Sequence, residues 1–309
     1  MLLRLGGLSG ATTLLALALL MPVAMARAGL QVPQLLDDAG RPKIVLFPAS
    51  RIVTLAPSLT ELVYAADAQD QLVGVSAYSD FPEGAKLKPQ VADATGISLE
   101  ALLALKPDLV LAWKGGTRPT DINRLEALGI NVFVIDIRTL ADVSRTLRTI
   151  GKLIGRVGAT DTPERVAAVF DAKLEILRRD NAGKKRVQFF FEISQLPLLT
   201  INGSHVISET AKLCGGENVF ADGAQTVIEP SRETLLQRGA NAILRPASIH
   251  KDVARDKALY SGLAAYREGR VYALNPDWIL RPGPRVMLAA EEVCMALDQA
   301  RKSMAAQKQ

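Results

Sequence analysis

The pattern that most restricts the fold of this chain is an alternation of short apolar strands and helical stretches that stops once and then resumes. Residues 51–55, 72–75, 109–112 and 132–135 read as strands. Helices lie between them. One starts at Ser58, with Glu61 at capping-box spacing. Another runs over 98–106 and stops before Pro107, and a third covers 121–128 with Gly129 as its C-cap. Strands separated by helices and short loops form parallel sheets covered by helices. From Leu140 to about Asp180 the strand pattern is absent. Residues 140–157 and 163–179 are helical there, the second with Pro163 at its first position. Apolar Val166, Val169, Phe170, Leu174 and Leu177 recur in it at helical spacing. Strands return at 187–191, 242–244 and 271–274, and a last helix covers 284–301. The expected organisation is an α/β lobe over 48–141, a helical connector over 142–185 and a second α/β lobe over 186–303.

The two lobes echo one another. Ser98-Leu99-Glu100-Ala101-Leu102-Leu103 precedes the strand at 109–112, and Ser231-Arg232-Glu233-Thr234-Leu235-Leu236 precedes the strand at 242–244. Each is a Ser-capped helix with Glu at its second position. An acid in the first turn meets the positive end of the helix dipole, worth ~0.3–1 kcal/mol. Two equivalent exposed acids, one per lobe, also suit matching arginines on a partner.

Before the first lobe, Arg4 is followed by an uncharged run from Leu5 to Ala26 with an apolar centre at 14–21, and it ends in Ala26-Arg27-Ala28. A basic start, an apolar core and a small-x-small site read as a secretory signal peptide over residues 1–28. Gly6, Gly7, Gly10 and Pro22 keep the apolar part short of a membrane span. Cleavage after Ala28 removes Arg4 and Arg27 and lowers the formal net charge from +5 to +3, which is no nucleic-acid footprint. Export also changes the reading of the cysteines. An even count of two, Cys214 and Cys294, in an oxidising compartment suggests one disulfide, with two separate buried thiols as the alternative.

Chemistry beyond binding finds little support. With 2 His and 2 Cys there are too few ligands for a His/Cys metal cluster, and neither His205 nor His250 lies in a nucleophile or metal-binding motif. The glycine pairs Gly115-Gly116 and Gly215-Gly216 are not phosphate loops. The aromatic residues, only 5% of the chain, are the more informative group. Trp113 follows the strand at 109–112, Trp278 follows the strand ending near Leu274, and Tyr78 follows the strand at 72–75. All three stand just beyond the carboxyl ends of parallel strands, where open α/β sheets bind ligands. Two lobes that each present a Trp there describe a cleft for a flat, largely apolar guest.

The segments around these residues carry a family resemblance from about Arg51 to Arg301. They include Arg51-Ile52-Val53-Thr54-Leu55-Ala56-Pro57 with Thr60-Glu61-Leu62, and Val73-Gly74-Val75-Ser76-Ala77-Tyr78-Ser79-Asp80. Further on come Lys106-Pro107-Asp108-Leu109-Val110-Leu111-Ala112-Trp113-Lys114-Gly115-Gly116, Cys214-Gly215-Gly216-Glu217-Asn218-Val219-Phe220, and Asp277-Trp278 with Arg281, Pro284 and Arg285. The chain resembles the periplasmic substrate-binding proteins of ABC importers whose lobes are joined by one long helix, and among them the cobalamin-binding members. The resemblance implies an α/β fold of two Rossmann-like lobes with parallel sheets joined by a long connector helix. It implies a corrinoid site lined by Tyr78, Trp113, Asp277 and Trp278, with Arg281 as a further polar contact. Glu100 and Glu233 become the acids that dock on arginines of the membrane permease, and Cys214 and Cys294 become a disulfide. The resemblance also implies a periplasmic monomer, with the corrinoid as transported ligand, no cofactor and no catalysis.

Three aromatic positions of those members are small or aliphatic here: Ala94, a residue near Leu198 or Leu199, and one near Val227. Haem-binding relatives carry a Tyr aligned with Phe81, which has no ligating atom. The rival readings are another metal chelate, such as haem or a ferric siderophore met by Lys114, Arg118, Arg281 and Arg285, and an exported hydrolase or a corrinoid-dependent sensor domain.

Overall fold

A computed structural model describes residues 34–44, 48–249 and 252–307; the expected signal peptide and His250 lie outside them. The first described segment is a hairpin of β1 (Gln34–Leu36) and β2 (Pro42–Ile44). Then come β3 (Ile52–Thr54), α1 (Pro57–Ala65), β4 (Leu72–Ser76), β5 (Gln90–Asp93), β6 (Gly96–Ile97), α2 (Leu99–Ala104), β7 (Leu109–Trp113), α3 (Pro119–Ala127) and β8 (Val132–Ile135). Helices α4 (Leu140–Leu153) and α5 (Thr162–Asp180) come next. The remainder is β9 (Val187–Phe191), β10 (Ser194–Gln195), β11 (Leu198–Ile201), α6 (Val206–Leu213), β12 (Gly216–Asn218), β13 (Val227–Ile228), α7 (Arg232–Arg238), β14 (Ala242–Pro246), α8 (Val253–Tyr260), α9 (Ala264–Arg267), β15 (Val271–Leu274), α10 (Pro276–Ile279) and α11 (Val286–Ala306). Among the described residues no helix is long and apolar enough to cross a membrane.

The two main sheets repeat one plan. In the first lobe β4, β3, β7 and β8 lie side by side and parallel, with β5 beyond β4 and β6 antiparallel at the edge. In the second, β12, β9, β14 and β15 lie side by side and parallel. In each lobe the first strand sits inside the sheet, β3 between β4 and β7 and β9 between β12 and β14. The helices of the sequence echo, α2 and α7, feed β7 and β14, and Ser98 and Ser231 cap them by accepting the amides of Ala101 and Thr234. Strands β3, β8 and β14 are buried along their whole length, because helices cover both faces of each sheet.

The connector packs on helices of both lobes. The capping box expected at Ser58 and Glu61 is absent, because Pro57 takes the first turn of α1 and Ala56 becomes its N-cap. A capping box is found instead at Thr139 and Asp142, where it starts α4. The long connector helix is α5; Thr162 opens it and Pro163 takes the second position rather than the first. Nineteen residues at a rise of ~1.5 Å give it a length of about 28 Å. It packs on α4 beside it in the connector, on α1 of the first lobe and on α11 of the second. Ala167, Phe170 and Leu174 are its buried face, whereas Val169, apolar and at helical spacing, points outward. One apolar core therefore runs from α1 through α4 and α5 into α6, β9 and α11. Each fully buried Leu or Val in it contributes about 1.5–3 kcal/mol.

Cys214 ends α6 and forms a disulfide with Cys294 on α11, with Cα atoms 4.9 Å apart. The bond closes a loop with a sequence separation of 80 residues. Cross-linking a loop of that length is worth about 4 kcal/mol through the unfolded chain. Replacing both cysteines with alanine is expected to lower stability by about that amount, read as a shift of the urea midpoint at constant slope. A shift corresponding to less than about 1 kcal/mol would show that the packing of α6 on α11 holds the second lobe without the cross-link.

Candidate functional site

Trp113 is the last residue of β7 and half-buried, and the two glycines just beyond it place its ring. A Cβ on Gly115 would lie 2.7 Å from Cζ2 of the indole, and one on Gly116 would collide with Cε3 and Cζ3. The ring therefore lies directly against two glycines that only a missing side chain permits. Lys114 reaches Asp136 at 3.3 Å and donates to the carbonyl of Asp38 at 3.1 Å. Arg138 donates to the same Asp136 carboxylate at 2.8 Å. The β1–β2 hairpin braces this loop: Asp38 accepts the Asp136 amide at 2.7 Å and is gripped by both ends of the Arg145 guanidinium.

Across from Trp113 the second lobe supplies Ser204, His205, Val206, Thr226 and Val227, with Ile279 at the end of α10 and Leu280 and Pro282 just after it. Together they enclose a cavity of about 450 Å³ at the carboxyl side of β7, a size and a place typical of small-molecule sites. His205 is the N-cap of α6, its Nδ1 accepting the Ile207 amide at 3.2 Å. Burial pushes its pKa down to about 4, so the ring is uncharged at neutral pH.

Beside the cavity, ion pairs cross between the lobes. Arg285 donates twice to Glu61 of α1, at 2.9 and 2.6 Å, and its guanidinium lies 4.0 Å above the Phe81 ring. Arg281 meets Asp80 at 2.5 Å, Asp277 at 3.0 Å and Glu61 at 3.8 Å. The Arg281 hydrogen bond holds the Asp80 carboxyl below its usual range. Burial raises that of Glu61 despite the pull of Arg285 and Arg281, because its side chain is only 2% exposed. The capping-box spacing hid this role; the available signal was an acid beside Leu59, Leu62 and Val63, which are all fully buried.

The residues singled out by sequence are only partly brought together. Trp113 lines the cavity. Asp277 and Arg281 meet each other and join the ion pairs beside it, and the donors of Arg281 are already committed to three carboxylates. Trp278 sits on α10, half-buried against the central core and outside the cavity lining. Tyr78 is 73% exposed and, at φ +63°, holds a left-handed conformation uncommon outside glycine. It lines a separate shallow hollow with Ala94, Gln90 and Asp93. Of the departures from the family pattern, Val227 faces the cavity, whereas Leu198 is buried in the second-lobe core. Glu100 and Glu233 are exposed on the first turns of α2 and α7, and neither is in an ion pair among the described residues. Sequence reasoning missed His205, Asp136 and Arg138 as lining residues and gave Lys114 only to the rival chelate. A polar histidine at the start of a helix in the second lobe was the signal for the first of them.

Comparison with known proteins gives a consistent picture. A family model described as periplasmic binding protein matches residues 52–278. A vitamin B12-binding protein of Vibrio cholerae is 34% identical over 256 residues, covering 83% of this chain and 92% of that protein. The crystal structure of the periplasmic vitamin B12-binding protein BtuF of Vibrio cholerae superposes with a TM-score of 0.75 at 34% identity, over 82% of this chain and 99% of that one. The periplasmic haem-binding protein RhuT of Roseiflexus shares the fold, with a TM-score of 0.71 at 21% identity over 82% and 99% of the two chains.

Two outcomes are expected from these contacts. Arg285→Ala leaves Glu61 buried with only the longer contact to Arg281, and it should cost about 3 kcal/mol in urea unfolding; a loss under about 1 kcal/mol would show that Arg281 compensates alone. For His205, the folded state holds a proton less tightly than the unfolded chain, whose pKa is near 6.5. Stability is therefore full above that value and falls as the pH drops toward 4, by at most about 2 kcal/mol at pH 5. Comparing the wild type with His205→Ser at pH 7 and pH 5 isolates this contribution, which should vanish in the variant.

Proposed function

This chain belongs to the periplasmic binding protein family, and from that premise we propose that it captures cobalamin or a related corrinoid between its lobes and delivers it to an ABC importer. The observation that carries this reading is Trp113, set against Gly115 and Gly116 in a cavity that His205 and Val227 line from the other lobe. An aromatic ring on the wall of a cleft suits the apolar face of a large planar ring, and the polar groups around it suit the ring's substituents. A corrinoid with its nucleotide loop is larger than the cavity of about 450 Å³, so on this reading the guest extends beyond it, toward the exposed ring of Tyr78. Val227 and Ala94, where the cobalamin-binding members carry aromatics, leave room for it. Asp277 and Trp278 border the guest from the second lobe. An anionic group on the guest reaches Arg281 by exchanging with Asp80. Phe81 lies under Arg285 and offers nothing to a haem iron.

The lobes are taken as 48–141 and 186–303, joined through the helices of 142–185. Glu100 and Glu233, alike in position and exposure, are the acids that meet arginines of the permease. The leader over 1–28 is cleaved on export, leaving a monomer in the periplasm that carries its ligand without transforming it.

Titrating the mature protein with cyanocobalamin should quench tryptophan fluorescence at micromolar ligand, through Trp113; no change there, with quenching by haemin instead, would overturn the corrinoid assignment. Changing Glu100 and Glu233 to Ala together should leave the titration unaltered while abolishing uptake in cells. A matching loss of affinity would refute the docking role.

A further inference from the structure

The wall of the cavity opposite Trp113 presents a histidine whose two ring nitrogens are in different situations. Nδ1 of His205 accepts the Ile207 amide in the first turn of α6. A neutral imidazole that accepts at Nδ1 carries its proton on Nε2. Among the described residues Nε2 has no hydrogen-bond partner, and it is not one of the polar atoms sealed from solvent. The residue lines the cavity. Its surroundings are fixed. Ser204, just before it, donates to Asn202 at 2.7 Å, and the Asn202 carbonyl accepts from Ser208 of α6, also at 2.7 Å.

The two walls also differ in charge. The first lobe brings Lys114, Asp136 and Arg138, whereas the second-lobe wall of Ser204, Val206, Thr226 and Val227 carries no formal charge. An uncharged donor on an uncharged wall is suited to a neutral oxygen acceptor. A charged guest group would be drawn to the opposite side.

We propose that His205 is a specificity-determining residue of the cleft, whose Nε2–H donates to a carboxamide oxygen on the rim of the guest while Nδ1 holds the start of α6. This rests on the corrinoid reading, since corrinoids carry carboxamide arms around the ring. Burial keeps the imidazole neutral, so the donor is presented without a charge that a neutral guest would have to desolvate. A guest carbonyl buried against Trp113 and left without this donor would be unpaired, which is the costly arrangement for a polar group in a closed site.

The test uses His205→Ser and His205→Asp. Both residues are strong helix N-caps, so α6 is retained, but neither places a donor where Nε2–H stands. With cyanocobalamin as the probe, the dissociation constant of each variant should rise about ten-fold over wild type, with the melting temperature at pH 7 unchanged. Dissociation constants within about two-fold of wild type in both variants would overturn the proposal. So would a weakening accompanied by a matching fall in melting temperature, which would make the role one of capping alone. Wild-type protein that fails to bind cyanocobalamin would overturn the corrinoid reading and this assignment with it, whereas binding by wild type and variants alike would overturn this assignment only.

Discussion

A buried carboxylate on the first helix holds the two halves of this molecule in register. Glu61 has its side chain almost wholly out of solvent, and Arg285, more than two hundred residues away, satisfies it with two hydrogen bonds. A charge so placed is tolerated only where its partner is fixed in position. Arg285 is fixed: its guanidinium is held over Phe81, and it immediately precedes α11, whose buried face is part of the core shared with α5. Arg281 repeats the arrangement one turn earlier, against Asp80. The segment that carries these arginines also supplies Pro282 to the cavity wall, so the ion pairs set how far apart the walls stand.

Much of the architecture was legible in the sequence, because the features that make parallel sheets are local. Buried runs such as Val132-Phe133-Val134-Ile135 and the Ser-capped turns at Ser98 and Ser231 announce themselves within a few residues. The echo between the lobes gains meaning from the strand order, since α2 and α7 feed equivalent strands of equivalent sheets. The site was legible only in part. Trp113 could be placed because a strand end trailed by two glycines is a local signal. What the glycines do, making room for the indole itself, required the packing.

The misplaced features share one physical cause, which is that long-range partners override local preference. Glu61 stands at capping-box distance from Ser58, but Pro57 moves the start of the helix and Arg285 offers the carboxylate a stronger partner. His205 has no motif around it, and folding brings it into one cavity lining with Trp113. Nothing in the spacing of two residues 92 positions apart in the numbering encodes that meeting.

The resulting cleft is asymmetric, with an indole and three charged side chains on one wall and a neutral histidine with hydroxyls on the other. That asymmetry fits a guest with a flat apolar face and a rim of mixed polarity, gripped from both lobes at once. Hydrogen exchange with and without cyanocobalamin tests this account most directly. It predicts slowed exchange in the turn after Trp113 and at the start of α6 together, with the helices bearing Glu100 and Glu233 unaffected. Protection confined to one lobe, or found away from both segments, would contradict it.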